Sequence, residues 1–167
     1  MSCIGLNPDV GNQVANKIIE AIEAGWGLDG LKKINRSYVG MGPVPSEDCC
    51  PDLVVWLSNV RMFDADQDTL REGRILKHYG IAFDINVRIG LCFFEMDNGG
   101  ELVELSQVQG WAEEINRYGM SAYQRAVSGL MDDPQLQCSF SITPQPMYPF
   151  QDGGCAGYTF AIGIGVV

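Results

Sequence analysis

The strictest pattern along the chain is an alternation. Ile81, Phe83, Ile85, Val87, Ile89, Leu91 and Phe93 are apolar, while Ala82, Asp84, Asn86, Arg88, Gly90 and Cys92 between them are small or polar. A period of two over this length predicts one long β-strand with a dry face and a wet face. Tyr158, Phe160, Ile162, Ile164 and Val166 alternate in the same way, opposite the nearly bare face of Thr159, Ala161, Gly163 and Gly165. Another backbone can approach closely over such small residues. Leu136, Cys138, Phe140 and Ile142 predict a further half-wet strand, and Leu53 to Phe63, rich in Val, Leu, Trp and Phe, a mostly buried one. The polar run Asp64 to Asp68 stops it, and Arg74 to Tyr79 reads as the start of another strand.

Two other stretches carry the helical period. Val10, Val14, Ile18 and Ile22 recur at intervals of four, with Lys17, Glu20 and Glu23 off that stripe. Asn7-Pro8-Asp9 supplies a cap, a first-turn proline and an acid, and Gly25 fits the residue just past the helix end. Ser106 to Gln109 and Ser121 to Gln124 both have the capping-box form, so two helices are expected on either side of Gly119, ended by Asp132-Asp133-Pro134. Gly27 to Asp52 reads as a long connection holding a short strand at Ser37 to Val39, long enough to reach a neighbour. Asp97 to Gly100 reads as a hairpin turn with Leu102, Val103 and Leu105 pairing back, Pro144, Pro146 and Pro149 as a break, and Gly153-Gly154 as a turn. The order predicts an α+β fold: a mostly antiparallel β-sheet with helices packed on one face, in a single domain over residues 1–167.

Charge narrows the partners. Eleven Lys and Arg against 21 Asp and Glu leave a net charge of −10. That is a poor balance for gripping nucleic acid, whose affinity comes mainly from basic side chains on phosphates. No apolar run approaches the roughly 20 residues of a membrane helix, so no membrane partner is expected. The N-terminal residues lack the basic-then-apolar pattern of an export signal, so a cytosolic setting is expected, with Cys3, Cys49, Cys50, Cys92, Cys138 and Cys155 as thiols.

Candidate chemistry is sparse. His78 is the only histidine, and nothing in the spacing pairs it with a particular cysteine. Cys49-Cys50 are adjacent, without the spacing or second pair of a zinc site. Asp64, Asp66 and Asp68 begin like a calcium loop, but Thr69 stands where glycine is required and Ile75 where the bidentate acid belongs. No phosphate-binding glycine motif and no nucleophile elbow occurs, so no catalytic residue, metal or cofactor is assigned and the chain is not expected to be an enzyme.

The order of elements resembles the tail terminator proteins of tailed bacteriophages. The best part is the last third: a helix ending Val127-Ser128-Gly129-Leu130-Met131, the segment Asp133-Pro134-Gln135-Leu136, a Pro-rich loop, a Gly-Gly turn and a closing alternating strand. An Asp-Pro-x-Leu segment often leads into such a strand in that family. The family often has Gly-Gly after that Leu, whereas Gln137-Cys138 stands here. The resemblance implies a non-enzymatic virion protein of the neck, made in the bacterial cytoplasm. It would close as a homo-oligomeric ring, a hexamer, that ends tail-tube growth. Its partners would be the tail tube protein, the head connector or stopper protein, and genomic DNA passing without specific binding.

Two sets of residues follow as candidates. Asp84, Asn86 and Arg88 would face the lumen if the sheet lines the ring, or plain solvent otherwise. Tyr158, Phe160, Ile162 and Ile164 would form the oligomer interface if their strand extends a neighbour's sheet, or lie centrally in the protomer's own sheet. Other roles stay open: a head-completion or stopper protein, a small enzyme or binding domain with a thiol site at Cys49-Cys50 or Cys92, and an adaptor binding through Pro144 to Pro149.

Overall fold

The computed structural model describes residues 4–42, 52–64, 79–92, 104–137, 140–152 and 154–167. Among them are two helices, α1 (Val10–Leu28) and α2 (Leu105–Met131), and six strands. The strands are β1 (Arg36–Val39), β2 (Asp52–Asp64), β3 (Tyr79–Cys92), β4 (Phe140–Pro144), β5 (Tyr148–Asp152) and β6 (Cys155–Val166). They form one sheet in the order β1-β2-β3-β6-β4, with β5 also on β6. Only the β1–β2 pairing is parallel. The fold is α+β, with both helices on the same face, as the alternation predicts.

The core lies between that face and the helices. Val10, Val14, Ile18, Ile22 and Trp26 of α1 meet Leu53 and Val55 of β2, Phe83, Ile85, Val87 and Ile89 of β3, and Phe160, Ile162, Ile164 and Val166 of β6. Tyr118, Ala122, Ala126 and Leu130 of α2 complete it, with Tyr123 edge-on to Phe160 at 5.0 Å between ring centroids.

The helices run antiparallel along a seam with a rung every four residues. Asp29 meets Ser121 and Arg125, Gly25 meets Arg125, Ala21 meets Gly129, and Lys17 pairs with Asp133. The spacing is the i, i+4 ridge of each helix. Gly129 is required for it: a Cβ there would lie 2.5 Å from the Ala21 Cβ. At one end Arg125 Nη2 donates to Asp29 Oδ1 at 2.5 Å and Ser121 Oγ donates to Asp29 Oδ2 at 2.6 Å. The Arg125 bond, then the Ser121 bond, hold the Asp29 carboxyl down at about 2. At the other end burial pushes the Asp133 carboxyl up, but Lys17 and the Gln135 amide outweigh it and its pKa is lowered.

Several local expectations are corrected. Asn7 caps a turn before α1, accepting the Asp9 N–H at 2.8 Å, rather than the helix itself, which starts at Val10. Gly25 lies inside α1; the helix runs on to Leu28, and Gly30, with φ +70°, is the left-handed residue that ends it. The two helices expected around Gly119 are one helix of 27 residues. Gly119 does not break it, because the Tyr158 ring packs where its side chain would be. Glu104, not Ser106, is the N-cap, and Leu105 opens the helix instead of pairing back as a strand. Leu136 sits in a turn, 1% exposed, rather than in a strand; of that expected strand, Phe140 and Ile142 lie in β4.

The Pro-rich stretch is largely sheet. β4 lies along Val166 to Ile162 and β5 along Thr159 to Cys155, on the same edge of β6, with the Gln145 N–H donating to Ala161 O between them. Prolines are tolerated there because an edge strand can leave donors unpaired on its outer side. Pro144, Tyr148 and Pro149 are therefore in strands rather than in a free loop.

Candidate functional site

Both helices occupy one face of the sheet, and no described helix covers the other. That second face carries the wet positions of β3. Asp84, Asn86 and Arg88 all lie on it, each half-buried. Asn86 Nδ2 donates to Ser58 Oγ at 2.6 Å, Asn59 Nδ2 donates to Asp84 Oδ2 at 2.7 Å, and the Arg88 guanidinium stands 4.1 Å over the Phe150 ring.

A bulge in β2 builds part of this face. Ser58 pairs with Asp84 and Arg61 with Ala82, so Asn59 and Val60 together oppose Phe83. Asn59 has φ 52°, a left-handed conformation that asparagine tolerates, and its side chain anchors on Asp84. The extra residue reverses the parity of the strand. Before it Trp56 and Ser58 point to the open face; after it Arg61 and Phe63 do. The sequence reading of β2 as mostly buried holds for Leu53 to Val55 only, since Asn59 to Met62 are exposed.

Two aromatic rings lie across the bare floor. Phe63 covers Gly80 and reaches Gly165, and Phe150 covers Gly90 beside Arg88. Beside Phe63 is a shallow open depression of about 350 Å³, floored by Ala82, Gly163 and Gly165 and rimmed by Arg61, Asp84, Ser141 and Thr143. Over Gly165 of β6 the groups that come close are the Ser141 hydroxyl and the Phe63 ring, both side chains of the same protomer.

By register, the charged strand side chains on this face are Arg36, Arg61 and Arg88 against Asp52, Asp84 and Asp152. Among the described residues the strand charges of this face therefore balance, three against three, in a chain of net charge −10. Arg36 and Asp52 neutralise each other through a two-pronged contact at 2.8 and 2.7 Å.

The candidate interface is corrected. β6 is paired on both sides, with β3 along one edge and β4 and β5 along the other, so it is central and adds to no neighbouring sheet. Phe160, Ile162 and Ile164 are 2%, 0% and 2% exposed in the protomer's own core. Tyr158 packs on α2 and donates its hydroxyl to Asn116 Oδ1 at 2.6 Å.

The segment that carries the family resemblance has a structural account. Asp133 Oδ1 accepts the Gln135 N–H at 2.8 Å, and Asp133 O accepts the Leu136 N–H at 3.0 Å. Leu136 then plugs the core. Asp133-Pro134-Gln135-Leu136 is thus a tight turn tied to α1 through Lys17.

Among the described residues no group of three or more His, Cys, Asp or Glu converges as a metal site. No described helix is long and apolar enough to cross a membrane. Cys3, Cys49, Cys50, Cys138, Asp66, Asp68 and His78 lie outside the described residues. Sequence reasoning missed Ser58, Asn59, Arg61, Phe63 and Phe150 as members of the open face. The available signal was the polar pair Ser58-Asn59, which interrupts an otherwise apolar run.

In comparison with known proteins, the chain matches no protein-family model and no curated sequence.

Proposed function

We propose that this chain is a structural neck protein of a tailed bacteriophage, closing with its own copies into a ring that ends tail-tube growth and lets DNA pass. The observation that carries the reading is the second face of the sheet. It runs the length of the 13- and 14-residue strands β2 and β3, no described helix covers it, and the arginines and aspartates of its described strands balance. A lumen of that kind neither holds phosphates by counterion release nor repels them strongly. Asp84, Asn86 and Arg88 stay in place as lumen candidates. Protomer contacts fall elsewhere than β6. Available surfaces are the β1 edge, the β4–β5 edge and the first turns of α2, where Leu105 is 82% and Val108 44% exposed.

The test is assembly. The purified protein, alone and mixed with isolated tail tubes, is followed by native mass spectrometry and negative-stain microscopy. Annular multimers in solution or at tube ends are expected. A protein that stays monomeric at high concentration and beside tubes overturns the reading. Replacing Leu105 and Val108 together by Asp is expected to abolish rings while leaving the thermal midpoint of the protomer unchanged.

A further inference from the structure

The last residue of β3 and the first of β6 are both cysteines, and the register places Cys92 directly opposite Cys155. We infer that these two thiols are a redox-driven modification site, closing to a cross-strand disulfide that bolts the β5–β6 hairpin to β3.

Three observations carry it. Directly opposed residues of antiparallel strands have Cα atoms roughly 4.5–5.5 Å apart, within the span of roughly 4.4–6.8 Å that a disulfide bridges. Both residues carry thiols, so the dithiol and the disulfide are the two states of the modification. Their exposure is unequal: Cys155 is 4% exposed, whereas Cys92 is half-buried and lies at the end of its strand. That asymmetry assigns the roles. Cys92, as thiolate, attacks a small-molecule disulfide such as oxidised glutathione, forming a mixed disulfide and expelling one thiol. Cys155, as thiolate, then attacks the Cys92 sulfur and expels the second. One external disulfide is consumed, two small thiols are released, and the protein loses two hydrogens. Reduction by a dithiol reverses it.

The bond would join residues far apart in sequence, across α2, β4 and β5. Closing so long a loop restricts the unfolded chain, and stabilisation is the expected consequence. The inference is independent of the proposed ring, since it concerns contacts within one protomer.

The test uses the full-length protein, reduced, then incubated with oxidised glutathione. Trypsin separates Cys92, in the peptide 89–117, from Cys155, in the peptide 126–167, which also holds Cys138. The expected result is a link between those two peptides, assigned by fragmentation to Cys155. The thermal midpoint should rise by roughly 5–10 °C and return on adding dithiothreitol. A stable glutathione adduct on Cys92 with Cys155 still a thiol overturns the inference. So does a link from Cys92 to any other cysteine. Cys92→Ser and Cys155→Ser should each abolish both the link and the midpoint shift; if either variant fails to fold, the peptide map of the unmodified sequence decides alone.

Discussion

The two faces of the sheet solve opposite problems. The face under the helices is closed by volume. Every second side chain of β3 and β6 is driven into it, and the helices above are locked by a seam in which Gly129 leaves no room and both ends are charge-paired. The other face is finished by polar bonds and thin covers. Ser58, Asn59, Asp84 and Asn86 satisfy one another, and Phe63 and Phe150 lie over glycines. The first face needs close-fitting volumes to make a stable protomer; the second tolerates change, and its described strand charges balance. Stability should therefore track the seam far more closely than the open face.

The seam should break first. Gly129→Leu forces a branched side chain into Ala21, where a Cβ alone would stand 2.5 Å away. Separating the helices there also strains the Lys17–Asp133 and Asp29–Arg125 pairs. Overpacking of this kind should cost about 3 kcal/mol, measured by denaturant titration. An unchanged midpoint would mean that the seam is looser than its geometry.

Acid should open the same seam from its ends. The Asp29 carboxyl titrates at about 2 against an ordinary 3.8. A depressed carboxylate pKa contributes stability that is fully present above the unfolded value and is lost as pH falls through the folded one. Asp133 is lowered too and acts with the same sign. The thermal midpoint should therefore fall between about pH 4 and pH 2. In Asp29→Asn that fall should be shallower, and the midpoint at neutral pH lower. A variant with the same acid slope as the parent would remove Asp29 from the account.

What was legible in the chain follows the same division. Alternation located β3 and β6 because burial on one face imposes a period of two, and the spacing of Val10, Val14, Ile18 and Ile22 located α1. Two helix glycines depart from their sequence reading, because a glycine inside a helix looks the same in sequence whether it ends the helix or admits a neighbour. Gly25 was read as a terminus and Gly119 as a break for that reason. Strand β5 was hidden by Pro149, since prolines mark strand ends until a pairing partner shows that the strand is an edge. The open face was half legible. Asp84, Asn86 and Arg88 share one strand and one parity, whereas Arg61 and Phe63 join them only because the bulge at Asn59 shifts their side. The polar pair Ser58-Asn59 marks an interruption in β2, but it does not say which side the residues after it take.

On the open face, Arg88 and Phe150 form a cation–π contact at 4.1 Å. A guanidinium over a half-exposed ring contributes about 0.5–1 kcal/mol. Arg88→Ala and Phe150→Ala should each lower stability by about 1 kcal/mol. The double variant should cost less than their sum, by the coupling the stacked pair supplies. Strict additivity would show that the ring covers Gly90 without help from the arginine.

The smallest effect is expected at the centre of the same face. A Cβ on Gly163 would meet Asp84 Oδ1 and Thr143 O at 3.5 Å, which is ordinary contact. The backbone there has no left-handed requirement, since Gly30 is the positive-φ glycine among the described residues. Glycine in a strand costs roughly 0.5–1 kcal/mol in chain entropy relative to alanine. Gly163→Ala should therefore leave stability within about 0.5 kcal/mol of the parent, or raise it slightly. The same methyl that would separate two helices at Gly129 should thus go unnoticed between Asp84 and Thr143. A loss at Gly163 comparable to the loss in the seam would mean that this face is closed by something pressed against it. Denaturant titration of the Gly129 and Gly163 variants side by side reads the difference directly.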